Sequence, residues 1–353
     1  MARKSVRYTA AVLLILAPVI ALALLEGAGR AYLYLVYGVE GKSYGIYRAH
    51  PVLGGILAEN SYNRLKQFND RAFQHRENVL EPRPDGSLRV VTYGGSTTFA
   101  YNLPTGQDWP SRLEARLRSN DPTAQVLNAG DVMWSLGHIN VRTREEFAAL
   151  RPDYVFLYSG INEEGNADLL RSEGVDFDAG VAAGDYGRFT HALVQTNVLF
   201  RNSVVYKMFF FWVAPLFGDR EQGALREARE LDRAALENYR MLLADVIDDW
   251  RANGARVVFV IQANGQADNP RNVRLTRYSR LGAPVARAHG AIVLDGRDVV
   301  DAFDGPPGAL FASTGLHWNK EGSELLAEHL YQEVFAPLLV KSSRSSTGGA
   351  PAP

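Results

Sequence analysis

The chain contains no cysteine among its 353 residues. Disulfides, thiolate metal sites and a cysteine nucleophile are excluded, while the compartment stays open, because a chain without thiols is at home in either redox state. Charge of one sign is missing too: 38 lysines and arginines stand against 39 aspartates and glutamates, a formal net charge of −1. Such a balance gives no footprint for nucleic acid or for a strongly acidic ligand. Neither the GxxxxGK[ST] spacing of a phosphate loop nor Gly-x-Gly-x-x-Gly occurs, so nucleotide-binding turns lack support. Only seven histidines are present, and they form no cluster with carboxylates that calls for a metal or an organic cofactor. No internal repeat is visible.

What is there begins with an apolar run. Arg3, Lys4 and Arg7 precede an uncharged stretch from Tyr8 to Leu25, close to the roughly 18 to 20 residues a helix needs to cross a bilayer core. A transmembrane helix over residues 8–28 is expected, with residues 1–7 cytoplasmic and everything after Glu26 extracytoplasmic, periplasmic or at the cell surface, by the positive-inside rule. A cleaved signal peptide competes, but its apolar core is usually about 7 to 15 residues, and the small-x-small candidates around Ala21 and Gly27 are poorly placed. Residues 29–87, rich in tyrosine and glycine without a sustained period, read as a stalk that partly packs on the following domain.

From Leu88 the pattern changes to short β-rich runs alternating with amphipathic stretches, the signature of a parallel sheet covered on both faces. Strands are predicted at 89–93, 125–127, 154–158, 256–261 and 291–294, and helices at 109–117, 139–150, 223–250, 277–289 and 319–334. The expected fold is α/β, a three-layer α/β/α arrangement on a five-stranded parallel sheet, in a domain over residues 88–341. An insertion around 165–220 interrupts the alternation, and its part from Asn197 to Phe217 is unusually aromatic. Phe209 to Trp212 are read as a helix buried against the domain or covering the site, the sharper alternative being a patch resting on a membrane. Residues 342–353, rich in Ser, Gly, Pro and Ala, are expected to be disordered.

The stretch "VVTYGGSTTFAYN", Val90 to Asn102, carries a strand into Gly94-Gly95-Ser96-Thr97-Thr98. In open parallel sheets ligands bind beyond the carboxyl ends of the strands, so Ser96 sits where chemistry is usual, at the start of a helix whose free N–H groups suit an oxyanion. Alone, such a turn is more often structural. Three further stretches change that: "LNAG" ending at Gly130, "YSGINE" from Tyr158 to Glu163, and "GLHWNKEG" from Gly315 to Gly322. Together the four resemble, in order, the blocks of the SGNH (GDSL-like) hydrolases, over roughly Leu88 to Leu339.

That resemblance implies a flavodoxin-like fold and a catalytic serine, Ser96, with His317 as general base. It also implies an oxyanion hole from the N–H groups of Ser96 and Gly130 and the Asn162 amide, and no cofactor. The chemistry agrees: a serine hydroxyl needs a base near neutrality, and a fixed amide at a strand end can face a developing oxyanion. One departure stands out. Where the family has an aspartate three residues before the histidine, this chain has Thr314. Either a hydroxyl such as Thr314 or a carbonyl steers the ring, or Asp295, Asp301 or Asp304 reaches in, or activity is reduced. The expected function is a membrane-anchored serine esterase acting on acyl esters, O-acetyl esters of cell-surface polysaccharide above all. Alternatives are an O-acyltransferase on glycans, a lipid esterase or lipase, and an inactive scaffold.

Overall fold

A computed structural model of the chain describes residues 16–31, 43–44, 47–50, 53–62, 65–164, 203, 205 and 232–338. Its centre is a five-stranded, wholly parallel sheet of β1 (Arg89–Gly94), β2 (Gln125–Asn128), β3 (Tyr154–Tyr158), β4 (Arg256–Ile261) and β5 (Ile292–Asp295). The strand order is β2-β1-β3-β4-β5, the flavodoxin-like order, whose switch point lies between β1 and β3. Val91 of β1 pairs with Leu127 of β2 on one side and with Val155 of β3 on the other.

Continuous apolar strands such as YVFLY and RVVFVI fit burial on both faces, and side-chain alternation sends successive residues to opposite layers. Val91, Tyr93, Val155, Leu157, Val257 and Phe259 belong to one core cluster. They pack there with α3 (Leu136–Leu150), α4 (Arg233–Ala252) and α5 (Pro270–Ala288). Val90, Tyr154, Phe156, Val258 and Val260 belong to the other, with α2 (Trp109–Leu117) and α7 (Lys320–Val334). Two short helices complete the set, α1 (Ser96–Phe99) and α6 (Arg297–Asp301). Caps fix the longer ones: Asp108 accepts from Ser111 N, Asp232 from Ala235 N, and Asn319 from Gly322 N.

The strands fall within a residue or so of their expected bounds. α5 begins seven residues before the expected Arg277, because Pro270 at its first turn is compatible with a helix start and "PRNVRL" offers too few apolar positions to show a period. The segment expected as a stalk that partly packs on the domain does pack on it over its described part. Leu53, Ile56, Phe73 and Val79 join the main core, Tyr47–His50 pairs antiparallel with Gly54–Leu57, and Gln74 bridges to Asn128 at the edge of the sheet. This segment buries isolated apolar side chains from irregular backbone, which no periodicity test detects.

Residues 16–31 are helical, with Leu16, Val19, Ile20, Leu22, Leu24 and Leu25 exposed. Among the described residues no helix is long and apolar enough to cross a membrane. The first half of the apolar run, residues 8–15, lies outside the described residues, as do residues 1–7, nearly all of the insertion and the tail at 342–353. Where the insertion is described, Glu26 accepts hydrogen bonds from Ser203 Oγ at 2.8 Å and Val205 N at 3.1 Å.

Candidate active site

Ser96 is the first residue of α1, directly beyond β1. The two glycines before it are required by close approach. A Cβ on Gly94 would stand 2.5 Å from Tyr158 O, and one on Gly95 would run into the Asn162 amide. At the first helical position the Ser96 N–H has no intrahelical acceptor and stays available. His317 arrives from a turn through Gly315, whose φ of +70° suits a residue without a side chain. Across 221 positions of sequence, His317 Nε2 lies 2.9 Å from Ser96 Oγ.

The other ring nitrogen, Nδ1, lies 3.1 Å from Thr314 Oγ1. With Nδ1–H donating to that hydroxyl, Nε2 keeps the lone pair that can take the serine proton. The turn is braced from outside: Gly265 N–H donates to Gly315 O at 2.8 Å and Asn272 Nδ2 to Thr314 O at 3.0 Å. The Tyr101 ring packs edge-on against the imidazole, with centroids 4.5 Å apart. Of the carboxylates considered as a third member, Asp295 accepts from Arg297 N and Asp301 pairs with the Arg297 guanidinium. Neither these nor Asp304 bonds to His317 among the described residues, so the hydroxyl takes that place. With no carboxylate to favour the cation, burial lowers the His317 pKa to about 4.

Asn162 lies just beyond β3, and its Nδ2 donates one hydrogen to Trp134 O at 2.9 Å, leaving the second N–H unspent among the described residues. Next to it Glu163 accepts from Leu136 N at 2.9 Å, tying the Asn162 turn to the start of α3. Burial pushes the Glu163 carboxyl up to about 8. Gly130 differs from expectation. Its N–H donates to Asn128 Oδ1 at 2.9 Å, closing a local side-chain turn. The backbone donors and amides with a hydrogen to give are thus Ser96 N and Asn162 Nδ2, and Gly130 serves the site through its missing side chain. A Cβ there would lie 2.6 Å from Phe99 N, inside α1.

Two residues that sequence reasoning missed hold the far end of α1. Asn128 Nδ2 donates to Thr98 O at 2.9 Å. Lys66, only 2% exposed, donates from Nζ to Phe99 O at 2.6 Å and Ala100 O at 2.7 Å. Burial lowers its pKa to about 8, partly offset by Asp108. Asn128 belongs to "LNAG" and could have been found as a polar residue at a strand end, whereas Lys66 sits in an aperiodic stretch that carries no signal. Among the described residues no three His, Asp or Glu side chains gather to hold a metal ion.

The family model described as GDSL-like lipase/acylhydrolase matches residues 92–325. No curated protein matches the sequence. Among solved structures the chain is similar to an α/β hydrolase from the metagenome of Lake Arreo, Spain, at 17% identity, covering 69% of this chain and 94% of that one, with a TM-score of 0.43. An acetylxylan esterase from Geobacillus stearothermophilus is similar at 14% identity, 70% and 94% coverage and a TM-score of 0.43. A psychrotrophic esterase from a Pseudoalteromonas species is similar at 12% identity, 71% and 98% coverage and a TM-score of 0.42.

Proposed function

Because this chain belongs to the GDSL-like lipase/acylhydrolase family and is a carboxylic ester hydrolase, we propose that Ser96 is its nucleophile and His317 its general base and acid. The observation that carries this reading is the 2.9 Å contact between Ser96 Oγ and His317 Nε2. Ser96 Oγ attacks the ester carbonyl while its proton passes to Nε2. The negative charge that develops on the carbonyl oxygen is met by Ser96 N–H and the free Asn162 N–H. Collapse of the tetrahedral intermediate breaks the carbon–oxygen bond, and Nε2 returns its proton to the leaving alcohol. Water, deprotonated by the same nitrogen, then releases the acyl group and restores Ser96.

The preferred substrates are short acyl esters, above all O-acetyl groups on cell-surface polysaccharide. The anchoring part of the proposal rests on the apolar run at residues 8–25 and the exposed aliphatic side chains of its helical part, 16–31. An outward-facing domain tethered in this way works next to surface glycans. The absence of a carboxylate behind His317 favours one second reading, transfer of the acyl group to a sugar hydroxyl.

Hydrolysis of 4-nitrophenyl acetate, butyrate and octanoate by the full-length chain tests the proposal. The acetate should be cleaved best, Ser96→Ala and His317→Ala should lose about four to six orders of magnitude in kcat, and Asn162→Ala about 10²- to 10³-fold. Turnover that rises with chain length favours a lipase, product on an added glycan favours the transferase, and retained activity in Ser96→Ala refutes the assignment.

A further inference from the structure

The alcohol half of the ester has its own place in this molecule. In the reaction above, the atom that receives the proton from His317 Nε2 is the alcohol oxygen, so the alcohol departs past the imidazole, on the side of the chain that carries it. The acyl carbonyl faces the other way, toward Ser96 N and Asn162. Ser96 stands at the end of β1 and Asn162 at the end of β3, and the sheet continues outward from β3 to β4 and β5. Beyond the carboxyl ends of β4 and β5 lies a cavity of about 530 Å³, large enough for a sugar unit or two on the scale of ordinary small-molecule sites.

Its wall is the loop that follows β4, with Asn264, Gln266, Asp268 and Asn269, facing Arg297 of α6 and Pro307. This loop is joined to the turn that bears His317. Gly265 N–H donates to Gly315 O at 2.8 Å and Gln266 Nε2 to Ser313 O at 3.4 Å. The wall of the cavity and the turn that bears the proton-delivering ring are therefore hydrogen-bonded neighbours.

The lining combines apolar Ala267, Val300 and Pro307 with amide and charged side chains, and the amides are held in place. Gln266 Oε1 accepts from Asn269 Nδ2 at 3.0 Å and from Asn272 Nδ2 at 3.2 Å, while Asn264 Oδ1 accepts from Gln266 N at 3.2 Å. These bonds fix the amides before any ligand arrives, which lowers the entropy cost of recognition. The Asp268 carboxylate has no hydrogen-bond or ion-pair partner among the described residues. Arg297 leans on Asp301 at 3.4 Å through Nε and remains 43% exposed, with further guanidinium hydrogens to offer. A lipid alcohol would have to desolvate both charges for nothing, whereas vicinal hydroxyls can donate to a carboxylate and accept from a guanidinium and from amides.

Resting on the esterase reading, we infer that this cavity is the leaving-group subsite and that the alcohol it takes is polyhydroxylated, a saccharide and not a fatty alcohol. The residues that select it are Asp268 and Arg297.

The experiment compares kcat/KM of the full-length chain for 4-nitrophenyl acetate and for partially O-acetylated cellotetraose, in wild type, Asp268→Ala, Arg297→Ala and Arg297→Lys. Both alanine variants should lose about tenfold or more on the saccharide, the size of one charged hydrogen bond, through KM and not kcat. 4-Nitrophenyl acetate should be cleaved unchanged, and Arg297→Lys should recover part of the loss. Because both side chains are exposed, melting curves should match wild type. Equal activity of all variants on the saccharide, or equal losses on both substrates, overturns the subsite. So does a wild type that cleaves 4-nitrophenyl acetate but not the saccharide, which leaves the esterase reading intact. A wild type inactive on both overturns the two together.

Discussion

In the proposed mechanism His317 is a base without a counter-charge. In a serine hydrolase with a buried aspartate, the carboxylate offsets what burial costs the imidazolium; here, among the described residues, Nδ1 meets only the Thr314 hydroxyl, and burial lowers the pKa from the ordinary 6.5 to about 4. The base is active when neutral, so lowering its pKa extends activity to acid. The acid limb of kcat/KM should lie near pH 4, with no inflection near 6.5, and a limb at 6.5 would contradict the geometry. Thr314→Asp should place a carboxylate within reach of Nδ1, raise the pKa, move the limb toward neutrality and increase kcat, since a stronger base transfers the proton more readily. The linkage has a definite sign. Between pH 6.5 and about 4 the unfolded chain binds a proton at this position and the folded chain does not, so folding stability declines as pH falls through that window. At this scale Ser96, Asn162 and His317 were legible as candidates because each sits in a short motif, and Thr314 because it stands where the resemblance places an aspartate. The commitment of Gly130 N–H to Asn128 Oδ1 was not, because it depends on a side-chain torsion.

At the scale of elements, α1 poses the question of how four residues stay helical. A helix so short is far below the length that persists on its own, roughly 12 residues even in favourable sequences. Its order is imposed from both ends. At the start, Gly94 and Gly95 let β1 press against Tyr158 O and the Asn162 amide. At the finish, Asn128 and Lys66 take the carbonyls of Thr98, Phe99 and Ala100. Lys66→Met keeps much of the volume and removes the donor, leaving the Phe99 carbonyl without its partner and Ala100 O with the Leu103 N–H alone, at a cost of about 1 to 3 kcal/mol. The melting midpoint should drop by several degrees, and kcat for 4-nitrophenyl acetate should fall about tenfold with little change in KM, because Ser96 is displaced and not the substrate groups. An unchanged kcat in folded protein would show that Lys66 supports the fold alone. The strands and the longer helices were readable because periodic burial leaves a trace in the sequence. The contribution of Lys66 was not, since a single buried cation in irregular backbone leaves none.

At the scale of the whole molecule, two cores on opposite faces of one sheet hold the carboxyl ends of β1, β3 and β4 in fixed order. That order lets residues 96, 162 and 317 meet. The alternation of short apolar runs with amphipathic stretches made this architecture legible. In the segment before β1, apolar residues without a period were legible only as a stalk that partly packs on the domain, and the places where Leu53, Ile56, Phe73 and Val79 join the core and Lys66 reaches α1 were not. Packing from irregular backbone is decided by tertiary complementarity, which sequence patterns do not encode. On the proposed reading, this fold makes one serine reactive through one histidine. Incubating the full-length chain with a serine-directed fluorophosphonate, followed by peptide mass mapping, tests it most directly. A single adduct should form on Ser96 and be abolished in His317→Ala; an adduct on another residue, or undiminished labelling of Ser96 in His317→Ala, rules this chemistry out.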